Sequence, residues 1–283
     1  MSEPLRTQSH RNSPTLRISV SGADFAYREF GPRAGVPLVL LTHLGANLDS
    51  WDPRIVDGLA EDRHLIAVGY RGVGNSTGQI RGSVEEMAED MVAVIRALGY
   101  DRVDVFGLSM GGMVAQAMAE REPQLIGRLI LAGSGPAGGP GLTDMTGITV
   151  STVLRAVLTF QDPKKLLFFT RTPAGKKAAD EYLARLKERT AGREKAVTPG
   201  VYREQLAAVH RWGMRQPADL SQFTGPVLII HGDTDRMVPS ANATALARQL
   251  PNASVMLFPD SGHGVAFQNH RAFVDAARDF LRR

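Results

Sequence analysis

The pentapeptide Gly107-Leu108-Ser109-Met110-Gly111 constrains this chain of 283 residues more than any other feature. It follows the apolar run Val103-Asp104-Val105-Phe106, which reads as a buried strand, and Gly111 to Arg121 after it reads as a helix. A serine at a tight strand-to-helix turn has its hydroxyl pushed out of the sheet, free to attack a carbonyl carbon. The flanking glycines are needed because the turn brings backbone segments together and leaves no room for a Cβ. The helix start adds unpaired N–H groups beside the serine, where a developing oxyanion would sit. In a chain with 29 glycines the five-residue pattern alone is weak, and its setting between strand and helix is what carries it.

The rest of the first half has the same rhythm. Leu16 to Val20 and Ala23 to Glu29 read as an antiparallel pair joined by Ser21-Gly22, and Pro37 to Thr42 and His64 to Val68 as further strands. Ser83 opens a helix through Leu98, with Glu86 at capping-box spacing and an apolar stripe of Val84, Met87, Met91, Ile95 and Leu98. Arg128 to Ala132 is another strand. Strands alternating with helices of this length imply an α/β fold whose mostly parallel sheet is covered on both faces. The alternation breaks after Ala132, in a Gly- and Pro-rich stretch followed by helical sequence without strands, and resumes near Pro217. Leu166 to Thr170, Lys176 to Arg189 and Val201 to Trp212 read as the helices of this insertion. Val227 to Ile230, Ser240 to Leu250, Ser254 to Phe258 and Arg271 to Leu281 then complete the pattern. The expected organisation is a flexible tail over 1–14, a core over 15–133 and 217–283, and a helical cap over 134–216.

Composition narrows the functional classes. No stretch nears the roughly 20 apolar residues that cross a bilayer, so no membrane association is expected. The chain has no cysteine, which removes disulfides, thiolate metal sites and cysteine nucleophiles. Together with a polar N-terminus lacking an apolar signal core, this points to a cytoplasmic protein. Net charge is +4, and residues 161–195 alone carry ten Lys/Arg against five Asp/Glu. Without interleaved aromatics or a nucleic-acid motif, this basic segment reads as a solvated helix face, and nucleic acid is not an expected partner.

A serine hydroxyl becomes a strong nucleophile when a histidine takes its proton and an acid orients that histidine. Both partners follow in order after later strands: His231-Gly232-Asp233-Thr234-Asp235 after Ile230, and Asp260-Ser261-Gly262-His263-Gly264 after Phe258-Pro259. Loops at that carboxyl edge of the sheet are where open α/β folds bind ligands. The order is therefore serine, acid, histidine, with Asp233 and Asp235 both standing in the acid loop and His263 in the next. Asp233 is at a position that more often shapes a turn, Asp260 reads as a loop residue and His231 as structural. His10, His64, His210 and His270 carry no motif, and no H-x-x-x-H or H-E-x-x-H pair suggests a metal.

At these motifs the chain resembles the α/β-hydrolases, over nearly everything after about Thr15. The resemblance implies that Ser109 is the nucleophile, Asp235 the orienting acid and His263 the base. It further implies an oxyanion hole made by the backbone N–H of Met110 and one from the loop Thr42-His43-Leu44-Gly45. Many relatives have His-Gly-x in that loop, whereas this chain reads His43-Leu44-Gly45. This is similar to the Ser-Leu-Gly of enol-lactonases, which share a Trp-Asp-Pro like Trp51-Asp52-Pro53, and it assigns the second N–H to Leu44. Tyr70-Arg71-Gly72-Val73-Gly74-Asn75-Ser76 matches another family loop and reads as a structural brace. The implied chemistry is acyl transfer from a small to medium, largely apolar ester or lactone, with no cofactor required. Phe168, Phe169, Trp212 and Met214 of the cap, with Val238, are the candidate pocket walls. A cofactor-free perhydrolase using the same triad and a ligand receptor on the same fold are the alternatives, and a homo-oligomer is left open.

Overall fold

A computed structural model of the chain describes residues 9–283. Eight strands form one sheet in the order β1-β2-β4-β3-β5-β6-β7-β8. They are β1 (Leu16–Val20), β2 (Ala23–Phe30), β3 (Leu38–Leu41), β4 (Leu65–Val68), β5 (Val103–Leu108), β6 (Ile126–Ala132), β7 (Val227–Gly232) and β8 (Ala253–Phe258). The β1–β2 and β2–β4 pairings are antiparallel, and every pairing from β4 through β8 is parallel. The central strands β3, β4 and β5 are buried along their whole length, which explains their unbroken apolar runs.

Helices α1 (Pro53–Leu59), α2 (Val84–Ala97) and α3 (Met110–Arg121) come from the first half of the chain, and α8 (Ala241–Gln249), α9 (Val265–Gln268) and α10 (His270–Arg282) from its end. The expected capping box closes the start of α2: Ser83 Oγ accepts from the Glu86 N–H while the Glu86 carboxylate accepts from the Ser83 N–H. The Arg71 loop is a brace, as its sequence implied. The Arg71 guanidinium grips both Asp90 oxygens on α2 at 2.8 Å, and Arg81 shares the same carboxylate.

The insertion is helical: α4 (Met145–Leu158), α5 (Pro163–Phe168), α6 (Pro173–Arg185) and α7 (Pro199–Met214). Three of these correspond to expected helices, each beginning at a proline with an Asp or Thr N-cap in front. Helix α4 went unread because its sequence is rich in β-branched residues and contains Gly147, a poor helical composition. Its outer face also leaves Val150, Leu154, Val157 and Leu158 exposed, so the usual amphipathic stripe is missing.

Two expectations need correction. Residues 1–8 of the expected tail lie outside the described residues, but 9–14 are held in place. The His10 N–H donates to Asp57 at 2.7 Å, and Arg189 of the cap donates to the carbonyls of His10 and Ser13 at 2.9 Å. The basic segment is likewise more than a solvated face. Arg185 turns inward and holds Asp52 through Nε and Nη2 at 2.7–3.1 Å, with both side chains buried. Asp49, paired with Arg28 at 2.7 Å, also accepts from the Glu194 N–H at 2.8 Å. Burial raises the Asp49 pKa, but the charge and hydrogen bonds of Arg28, with Glu194 and Arg189, outweigh it and hold the carboxyl below its ordinary range. The second half of the cap is therefore clamped to the core by buried ion pairs.

Candidate active site

Ser109 sits between β5 and α3 with φ 54° and ψ −116°, a backbone conformation that L-residues avoid. The close approaches around it explain the two motif glycines. A Cβ on Gly107 would meet the Gly111 carbonyl oxygen at 2.4 Å, and one on Gly111 would meet the Leu41 carbonyl oxygen at 2.1 Å. The Ser109 N–H donates to the Ala132 carbonyl at 2.8 Å, which ties the turn to β6.

The three expected residues meet. His263 Nε2 lies 2.8 Å from Ser109 Oγ, and His263 Nδ1 lies 2.8 Å from Asp235 Oδ2. The other oxygen of Asp235 accepts from the Met237 and Val238 N–H groups at 2.8 and 3.0 Å. Burial alone would raise the Asp235 pKa, but the charge of His263 and hydrogen bonds from His231 and His263 keep the carboxyl well below its ordinary value. An ionised Asp235 requires the proton on Nδ1 of His263, which leaves the Nε2 lone pair facing the serine hydroxyl. His231, four residues before the acid, donates from Nε2 to the Val238 carbonyl at 2.8 Å and stands 3.4 Å from Asp235 Oδ2. Asp233 accepts from the Ser261 N–H at 3.2 Å, tying the acid loop to the base loop, and Thr234 Oγ1 donates to the Ser261 carbonyl at 2.9 Å. Asp260 accepts from the Thr172 hydroxyl of the cap at 2.8 Å.

The loop after β3 completes the floor. His43 donates from Nδ1 to the Leu44 carbonyl at 2.8 Å, and its ring meets Phe168 edge-on at 4.9 Å between centroids. Burial pushes the His43 pKa down to about 3, so its imidazole is neutral at physiological pH. The Gly45 N–H donates to Gln205 Oε1 of α7 at 2.7 Å. Among the described residues, the N–H groups of Leu44 and Met110 have no protein acceptor. Gln205 is a contributor that the sequence did not reveal, because a single glutamine inside a helical insertion carries no motif.

A cavity of about 180 Å³ opens beside Ser109 and His263. It is walled by Leu44, Val153, Leu167, Phe168, Tyr202 and Met237. Of the expected pocket residues only Phe168 lines it. Phe169 turns away to pack on Tyr182 at 5.6 Å, and borders a second depression instead. Trp212 is buried and spends its indole N–H on the Gly135 carbonyl at 3.2 Å. Met214, at the end of α7, is 68% exposed, and Val238 is fully buried behind the acid. The correction has one cause: α4 and α5, not the far end of α7, roof the serine. No helix among the described residues is long and apolar enough to cross a membrane.

Residues 36–270 match the family model described as the alpha/beta hydrolase fold. The chain is 31% identical over 229 residues to a 2-hydroxy-6-oxononadienedioate/2-hydroxy-6-oxononatrienedioate hydrolase of Cupriavidus pinatubonensis, covering 77% of this chain and 78% of the relative. A solved structure of an alpha/beta hydrolase fold protein from Chitinophaga pinensis superposes with a TM-score of 0.91 at 33% identity, covering 97% of this chain and 99% of the other. An enol-lactonase from Burkholderia xenovorans shares the fold with a TM-score of 0.72 at 23% identity, over 95% of this chain and 100% of the other. On the family match and the two relatives above 30% identity, this chain belongs to the α/β-hydrolase fold family and is related to its hydrolases.

Proposed function

We propose that the protein is a serine hydrolase that cleaves a small carboxylic ester or lactone through an acyl-enzyme intermediate. The observation that carries this reading is the continuous relay Asp235–His263–Ser109, with both of its side-chain contacts at 2.8 Å, beside the cavity. His263 Nε2 takes the hydroxyl proton as Ser109 Oγ bonds to the substrate carbonyl carbon. The carbonyl oxygen becomes an oxyanion that accepts from the N–H groups of Leu44 and Met110, each worth about 3 kcal/mol at the transition state. His263 then returns the proton to the departing alkoxide oxygen as the acyl–oxygen bond breaks. Water, deprotonated by the same imidazole, then bonds to the acyl carbon, and the imidazolium returns the proton to Ser109 Oγ as the acyl–Oγ bond breaks and the acid leaves. Asp235 holds the ring in the required tautomer and stabilises its cation throughout.

The cavity is small, about 180 Å³, which favours a compact acyl group. A second reading is attack on a ketone carbonyl followed by carbon–carbon cleavage, favoured by the oxo-dienedioate substrate that names the relative from Cupriavidus.

Intact-mass measurement after exposure to a fluorophosphonate tests the nucleophile. One stoichiometric adduct is expected on the wild type and none on Ser109→Ala. A folded wild type that stays unlabelled would sink the proposal.

A further inference from the structure

On the other side of Leu167 and His263 lies a larger, open depression of about 440 Å³. Its wall carries Arg171 and Arg236 together with Thr170, Thr172 and Thr234, whose hydroxyls bond to one another, to Asp260 and to the Ser261 carbonyl. Asp260 is the carboxylate of this lining among the described residues, and it is already engaged by the Thr172 hydroxyl. Arg236 follows the acid Asp235 directly in sequence and spends one N–H on the Leu166 carbonyl at 2.8 Å. Neither Arg171 nor Arg236 has a carboxylate within ion-pair distance among the described residues, and neither does Arg155 on α4. Burial first, and then the charges of Arg171 and Arg155, push the Arg236 guanidinium below its ordinary value against the opposing charge of Asp235. By contrast, Arg185 and Arg215 of the cap pair with the carboxylates of Asp52 and Glu85, and Arg189 donates to the carbonyls of His10 and Ser13.

Guanidinium groups left without carboxylates in a concave site favour an incoming anion, and arginine presents a fork that matches carboxylate or phosphate oxygens. A cationic cleft also concentrates anions before they bind. From the position of these arginines beside the catalytic imidazole, we infer that the depression is a subsite for an anionic oxygen group of the substrate, a carboxylate or a phosphate. The inference rests on the acyl-transfer reading for the reaction and extends it: the preferred ester carries a negative charge at its far end. Leu167 stands between the two cavities and touches both, so such a substrate would lie across it.

The test compares two activated esters of similar length, 4-nitrophenyl butyrate and the 4-nitrophenyl monoester of glutaric acid. The readout is the ratio of kcat/KM for the charged ester to that for the neutral one. That ratio is expected to exceed one, to fall as sodium chloride is raised, and to drop about fivefold in Arg171→Gln, through KM. Arg171→Lys should retain part of the preference, and Arg171→Gln/Arg236→Gln should lose it. Inorganic phosphate that competes with the charged ester more strongly than glutarate does would identify the group as phosphate; the reverse order would identify it as carboxylate. A ratio unmoved by salt and by both substitutions overturns the subsite while leaving the hydrolase intact. If neither ester turns over, the acyl-transfer reading fails, and the subsite is then judged by calorimetric titration with glutarate and phosphate. Binding that vanishes in the double variant supports it, and no binding by wild type overturns it.

Discussion

The clamp between cap and core gives a stability prediction that can be worked from the coordinates. In Arg185→Ala the carboxylate of Asp52 loses three charge-assisted contacts at 2.7–3.1 Å and keeps one backbone donor, the Arg54 N–H at 3.0 Å. Asp52 is completely buried, so water cannot replace what is lost without opening the interface. Leaving one charge of a buried pair unpartnered costs about 3–5 kcal/mol. For a domain of this size each kcal/mol shifts the melting temperature by about 2–4 °C, so a fall of roughly 6–20 °C is expected by calorimetry. Removing both charges in Asp52→Asn/Arg185→Met should cost much less than the two single changes added together, because no orphan charge remains. A fall of about 2 °C or less in Arg185→Ala, or additive losses in the double variant, would refute the claim that the pair fastens the cap.

Two further outcomes follow from groups near the clamp and the site. His10 is buried with its pKa pushed down to about 4, and His43 to about 3, by burial in both cases, with Arg28 adding to the effect on His10. Both stay neutral in the fold while the unfolded chain takes up protons below pH 6.5. Stability should therefore be flat above that pH, decline by a few kcal/mol between pH 6.5 and 4, and lose nothing more from His10 below its folded pKa. Melting temperature against pH reads this slope, which should be shallower in His10→Gln, and an unchanged slope would count against it. Gln205 holds the Gly45 N–H and so fixes the loop that presents Leu44. Gln205→Leu should lower kcat about tenfold with a smaller change in KM, measured on a neutral ester, since misplacing a transition-state donor affects the chemical step first.

The core was legible because its signals are local and redundant. The turn at Ser109, the acid loop and the base loop each carry glycines or prolines at fixed offsets; the first two follow buried strands, whereas the base loop follows the edge strand β8, whose apolar run is largely exposed. Those offsets brought Ser109, Asp235 and His263 within hydrogen-bonding reach. The pocket was not legible, for a physical reason. Aromatic residues in a helical insertion can face the substrate or the cap's own interior, and spacing does not distinguish them. Trp212 went inward to Gly135, whereas Val153 and Tyr202, which no motif marks, face the serine. Helix α4 was missed because its apolar side chains point to solvent, the reverse of what periodicity assumes. Arg185 and Arg189 read as surface charges because the carboxylate and carbonyls that receive them lie more than a hundred residues away.

The two glycines that bracket His263 look like ordinary loop residues, yet neither has a positive φ. What demands them is the cap: a Cβ on Gly262 would meet the Phe168 carbonyl oxygen at 2.7 Å, and one on Gly264 would meet Phe168 Cβ at 2.8 Å. The Gly264 N–H donates to that same Phe168 carbonyl at 2.7 Å. The loop bearing the base is thus moulded on the end of α5, and the two cannot diverge independently. A cap grafted from another family member would have to present a carbonyl at this one point, or the imidazole would lose its seat. The loop that seats His263 and the end of α5 are therefore shaped as one unit, and specificity can be remodelled only in parts of the cap that leave this contact alone.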